Sequence, residues 1–172
     1  MVAEKENGIE AASGGGSIDA SAGDIAILGQ VLRDAHRAFS RALQSRIAAH
    51  GVTMGQWSFL RALWEEDGLT QRQLSQRVGM MEPTTVTALN GMERSGFVVR
   101  VRNPGDRRKV NIYLTEKGRA LQALLLPHAF EVARQATEGV SAAELRTALH
   151  ALSRLIANLD RTAASDFADG FD

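Results

Sequence analysis

The chain contains no cysteine, which excludes disulfides, thiolate catalysis and cysteine redox sensing together. Neither sign of charge dominates: 20 Lys and Arg stand against 20 Asp and Glu, so net charge alone says nothing about nucleic acid. No run approaches the roughly 18 apolar residues of a membrane helix. The N-terminus lacks the basic start, apolar run and cleavage site of a secretory signal. A soluble cytoplasmic protein with no membrane partner is the expectation. Enzyme strings are missing as well: there is no nucleophile elbow, phosphate loop, HExxH or pair of acids in a recognisable context. His36, His50, His128 and His150 show no close ligand spacing, although scattered histidines can converge in space. No enzyme activity, metal or cofactor is expected.

What is present is unevenly spread. A chain of 172 residues fits one domain, or two small lobes sharing a core. Residues 71–119 hold ten basic residues against four acidic ones, a net +6 balanced by the remainder. Such a segment is either an electrostatic footprint for nucleic acid or a solvated surface. Within it RNPGDRRKV, 102–110, sets four basic residues around a Pro-Gly turn.

Residues 1–20 read as a disordered tail, because charge and a run of three glycines leave little apolar surface to offset the entropy of ordering. From Ile25 to Ile47 apolar residues recur at three- and four-residue steps, which predicts a long helix ended by Gly51. Thr53 with Gln56, and Thr70 with Gln73, match capping boxes for a second and a third helix. A fourth helix follows Gly79, from about Pro83 to Ser95, with Val86, Leu89 and Met92 on its apolar face. The period then changes: FVVRVR, 97–102, and KVNIYLT, 109–115, predict a two-stranded hairpin. A helix opens after Thr115, with Pro127 expected to kink or interrupt it. The last helix starts at Ser141, capped against Glu144, and the chain is expected to fray after Arg161.

A helix, a tight turn, a second helix and a basic hairpin, in that order, make a winged helix-turn-helix. A helix fits the major groove, where base edges carry a full donor and acceptor code. A hairpin at its far end reaches the neighbouring backbone or minor groove. Thr84, Thr85, Thr87 and Asn90, taken as exposed on the fourth helix, are candidates for bases or phosphates, and Arg94 near its end for phosphate.

GVTMGQWSFLRAL (51–63), LTQRQLSQRVGMMEPTTVTALNGMERSGFVVR (69–100) and NPGDRRKVNIYLTEKG (103–118) resemble the MarR family of bacterial transcription regulators. The most specific part is the wing string Asp106-Arg107-Arg108 followed by Leu114-Thr115-Glu116-Lys117-Gly118. The resemblance implies a mainly α fold, a winged helix-turn-helix with a two-stranded β-wing and long N- and C-terminal dimerisation helices. The expected divisions are a tail over 1–20, a dimerisation helix over 21–50, the DNA-binding domain over 51–118, C-terminal dimerisation helices over 119–162 and a frayed tail over 163–172. It implies a homodimer on a pseudo-palindromic double-stranded operator, with repression the expected sign. Arg108 is the first candidate for the minor groove and Arg107 the second; Lys109 adds charge, and Asp106 supports the basic side chains. The alternative for Asp106 is a turn residue bonding its own backbone.

The family resemblance also implies a small-molecule effector, an aromatic or amphipathic acid or its thioester. Arg33, His36, Arg37, Phe39, Trp57, Phe59 and Trp64 are the candidate lining, each with an ordinary core or surface explanation. Two positions depart from the family pattern. Met81 and Glu82 stand where many relatives carry a serine, and a glutamate there suits the helix dipole but repels phosphate unless it accepts from a cytosine amino group. Gly91 sits mid-helix, either for close backbone approach or as a tolerated weakness. A dimeric protein-interaction adaptor and a non-specific architectural DNA binder are the alternative functions.

Overall fold

The computed structural model describes residues 21–106 and 108–169, with side chains through Arg161. The tail expected over 1–20 and the candidate Arg107 lie outside the described residues. The chain forms two compact units, residues 1–36 and 37–172, and helix α1 (Ala22–Ile47) belongs to both. In the first unit the Ser21 hydroxyl accepts the Asp24 amide at 3.2 Å, and Ile25, Leu28, Val31 and Leu32 are exposed.

The second unit holds the core. The last turns of α1 bury Leu43 and Ile47. A 3-10 turn, Ala48–His50, closes on Gly51 at φ 72, a left-handed conformation that glycine adopts without penalty. Helix α2 (Met54–Glu65) then opens with a reciprocal cap: the Gln56 amide donates to Thr53 Oγ1 at 3.2 Å and the Thr53 amide to Gln56 Oε1 at 3.0 Å. A short strand β1 (Leu69–Thr70) leads into helix α3 (Gln71–Val78), where Thr70 and Gln73 repeat the capping box. After Gly79 comes helix α4 (Glu82–Arg94), with Pro83 in its first turn.

Strands β2 (Val98–Arg102) and β3 (Val110–Leu114) form the hairpin. They pair antiparallel, from Val98 opposite Leu114 to Arg102 opposite Val110. The expected two-stranded wing gains β1 as a third strand, with Leu69 opposite Ile112, in the order β1-β3-β2. Two residues are too few for any periodicity to announce a strand. Helix α5 (Glu116–Ala136) follows, and helix α6 (Ala142–Asp169) begins at Ser141, whose hydroxyl accepts the Glu144 amide at 3.2 Å.

One expectation is corrected. Pro127 does not interrupt α5; it sits on the exposed side while Leu121, Leu125 and Val132, before and after it, are buried. Their packing offsets the one backbone hydrogen bond that proline cannot make. The backbone of α6 is helical through Asp169.

The core joins the helix-turn-helix to the wing. Phe59, Leu60, Leu74, Leu89, Met92, Ile112 and Leu125 are all fully buried in one cluster. Each such side chain contributes about 1.5–3 kcal/mol relative to exposure, so α4 and the hairpin are seated on a common floor. By contrast Leu149, Leu152, Ile156 and Leu159 on α6 are exposed. No helix among the described residues is long and apolar enough to cross a membrane.

Candidate nucleic-acid interface

The inward face of α4 is Thr85, Leu89 and Met92, all fully buried, at i, i+4 and i+7. Val86, expected on that face, is 36% exposed. Thr85, expected to be exposed, is therefore buried, and its hydroxyl donates to the Met81 carbonyl at 3.2 Å, which satisfies it without water. A threonine bonding back one turn packs like a valine, and the sequence pattern does not separate it from its exposed neighbours. Thr84, Thr87, Asn90 and Arg94 are exposed as expected. The Thr87 hydroxyl donates to the Pro83 carbonyl at 3.2 Å. The Arg94 Nε–H donates to the Asn90 carbonyl at 3.3 Å, which holds the guanidinium beside the last turn.

The wing tip is organised by two side chains. Asn103 Oδ1 accepts the amides of Gly105 and Asp106 at 2.9 and 3.0 Å. Asp106 Oδ1 in turn accepts the Arg108 amide at 3.1 Å and the Arg108 Nε–H at 3.2 Å, with Lys109 Nζ 3.7 Å from Oδ2. Asp106 thus bonds the backbone of the turn and contacts a basic side chain. The Arg108 amide, then the Arg108 side chain, holds its carboxyl below the usual aspartate range. Arg108 keeps a 92% exposed side chain despite this contact, and Lys109 is 62% exposed. The same exposure that frees them for a polyanion makes the ion pairs worth little on their own.

A further chain of bonds anchors the tip. Asn103 Nδ2 donates to Asn111 Oδ1 at 3.0 Å, and Asn111 Nδ2 to the Gly68 carbonyl at 2.7 Å. Sequence reading missed both asparagines, although an asparagine ahead of Pro-Gly is a turn signal. It also missed a groove of about 350 Å³ between α3, the start of α4 and the wing, lined in part by Gln71, Arg72, Glu82, Arg108 and Lys109. Arg72 entered only the charge count. Elsewhere the positive segment is partly spent, since Arg100 pairs with Glu93 at 2.6 Å.

The effector candidates divide between the two units. Phe59 is fully buried and Trp57 is 7% exposed, both in the core cluster. Trp57 meets Trp64 edge-on with ring centroids 5.6 Å apart. Trp64 is half-buried, its indole N–H already bonded to the Gly118 carbonyl. Arg33 and His36 are exposed in the first unit; Arg37 and Phe39 are exposed in the second. Among the histidines, His50 and His128 do converge, with Nε2 atoms 3.2 Å apart.

Comparison with known proteins agrees with this architecture. The MarR family model matches residues 52–110. The homoprotocatechuate degradative operon repressor of Escherichia coli is 30% identical over 73% of this chain and 82% of its own length. The HTH-type transcriptional regulator TtmR of Methylorubrum extorquens is 41% identical over 55% of this chain, but the match spans only 49% of that relative. The crystal structure of a MarR transcriptional regulator from Methanosarcina mazei superposes with a TM-score of 0.75 at 26% identity, covering 80% of this chain and 99% of that one. A helix-turn-helix seated on a shared core with a basic wing, matched in sequence along most of a curated repressor, assigns the chain to the MarR family of transcriptional regulators.

Proposed function

We propose that the chain is a ligand-responsive, sequence-specific repressor that binds a pseudo-palindromic operator as a homodimer. The observation that carries this reading is the coexistence of Thr84, Thr87 and Asn90 on the open face of α4 with a 92% exposed Arg108 at the wing tip. The helix face suits direct readout in the major groove. An exposed guanidinium at a hairpin tip suits a narrow minor groove. Glu82 shares the groove of Arg72, Arg108 and Lys109; there it opposes phosphate or reads a cytosine amino group.

A second copy of the chain is the partner that would cover the exposed apolar residues of α6, with Leu124 and Phe130 of α5, which are 51% and 73% exposed. An isologous pairing gives the two-fold symmetry that two half-sites about 34–36 Å apart require. The effector class is an aromatic or amphipathic acid or its thioester, with Arg37 and Phe39 the accessible members of the expected set in the second unit. A relative named for repressing a homoprotocatechuate degradative operon supports an aromatic acid.

Selection of bound genomic fragments, followed by a salt series against unrelated duplex, tests the reading. A strong preference that weakens as salt rises is the expected result. Equal weak binding to every duplex would favour an architectural role, and a folded dimer that binds none would favour an adaptor. An effector of this class lowers operator affinity, and an acid that binds without doing so is not the effector.

A further inference from the structure

We propose that His50 and His128 form a two-nitrogen seat for a late divalent transition-metal ion of the zinc, nickel or copper kind. His50 ends the 3-10 turn after α1, and His128 lies in α5 beside Pro127. Their Nε2 atoms are 3.2 Å apart, with ring centroids 5.3 Å apart and planes tilted by 44°, so the nitrogen corners face one another and the rings are not stacked. Two nitrogens on one tetrahedral ion, with bonds of about 2.0–2.1 Å, lie about 3.3 Å apart. The pair therefore matches a chelate with almost no movement of either backbone.

The surroundings leave this geometry available to a cation. The nearby Arg46 guanidinium is occupied by the Ala42 carbonyl at 2.8 Å and by Gln135 Oε1 at 2.7 Å. Glu131, one turn along α5 from His128, has both carboxylate oxygens on Arg134. Among the described residues no third His, Asp or Glu completes a metal group. Both rings are half-buried, so water reaches the remaining coordination positions. The seat is consequently an open, exchangeable site and not a closed structural one. Imidazole pairs suit zinc, copper and nickel over calcium or magnesium. A bound ion ties the end of α1 to α5 and stabilises the folded chain by linkage.

The test is calorimetric titration of Zn2+ into the chelator-treated full-length chain. Saturable binding of one ion per chain at pH 7.5 is expected. His50→Gln and His128→Gln should each weaken it comparably, whereas His150→Gln, on exposed α6, should not. Diethyl pyrocarbonate labelling of the unmutated chain gives a readout independent of variant folding: Zn2+ should shield His50 and His128 but not His150. The absence of a saturable site, binding by both glutamine variants equal to the parent, or equal labelling with and without Zn2+ would each overturn the assignment.

Discussion

The indole N–H of Trp64 donates to the carbonyl oxygen of Gly118 at 3.0 Å, joining α2 to the first turn of α5. On its other side Gly118 is pressed against the hairpin, where an added Cβ would lie 2.1 Å from the Phe97 carbonyl oxygen. The glycine of the Leu-Thr-Glu-Lys-Gly string is thus fixed by close approach, not by a turn. Gly118→Ala should destabilise the fold by about 1–3 kcal/mol or more, as overpacking does. Urea unfolding at fixed protein concentration reads the loss.

Gly91 should behave in the opposite way. A Cβ there would meet only Gln56 Nε2, at 3.9 Å, an ordinary contact. Close backbone approach is therefore not its role, and Gly91→Ala should stabilise the protein by up to about 1 kcal/mol through helix propensity. An unchanged or lowered unfolding midpoint would count against this account.

On DNA, Arg108→Ala should weaken operator binding while dimerisation and helix content stay as they were. If the side chain contacts phosphate, the slope of log affinity on log salt should fall by about 0.9. Minor-groove insertion would show instead as a larger loss on A·T-rich sites than on G·C-rich ones. Normal binding by the variant would remove Arg108 from the interface.

Thr85 and Asn90 separate packing from readout. Asn90→Ala should cost about 1–3 kcal/mol of discrimination at one operator position if Asn90 reads a base. Thr85→Val removes a buried hydroxyl bonded only within its own helix and should leave operator preference unchanged. A change of sequence preference in the valine variant would mean that Thr85 faces DNA.

The wing turn should respond to acid. The carboxyl of Asp106 is held below its ordinary value by the Arg108 amide and side chain. Its contribution is therefore complete above the ordinary aspartate range, near pH 4, and is lost as pH falls through the depressed value. The Arg108 amide resonance should stay constant from pH 8 to 5 and shift below about 4. Asp106→Asn should abolish that shift.

Much of this architecture is legible in the chain because local chemistry dictates it. Thr53 with Gln56 and Thr70 with Gln73 cap their helices as the spacing predicts. Asp106 and Arg108 contact one another as the wing string implies. What escapes is set by contacts between distant segments or by which side of a helix the core takes. The β1 strand exists because Ile112 pairs with Leu69. Thr85 is buried because the inward face of α4 runs through Thr85, Leu89 and Met92 and leaves Val86 at its edge. Arg72 joins Arg108 in one groove only through the fold.

The uncovered apolar face of α6 ties amount to shape. Its larger side chains up to Arg161 find no cover among the described residues and so add little to stability there. If a second copy covers them, as proposed, folding and association share one equilibrium, and the melting temperature should rise with protein concentration. In a cell, the number of copies would set both how much repressor is folded and how much operator is occupied, so expression level itself becomes a structural variable.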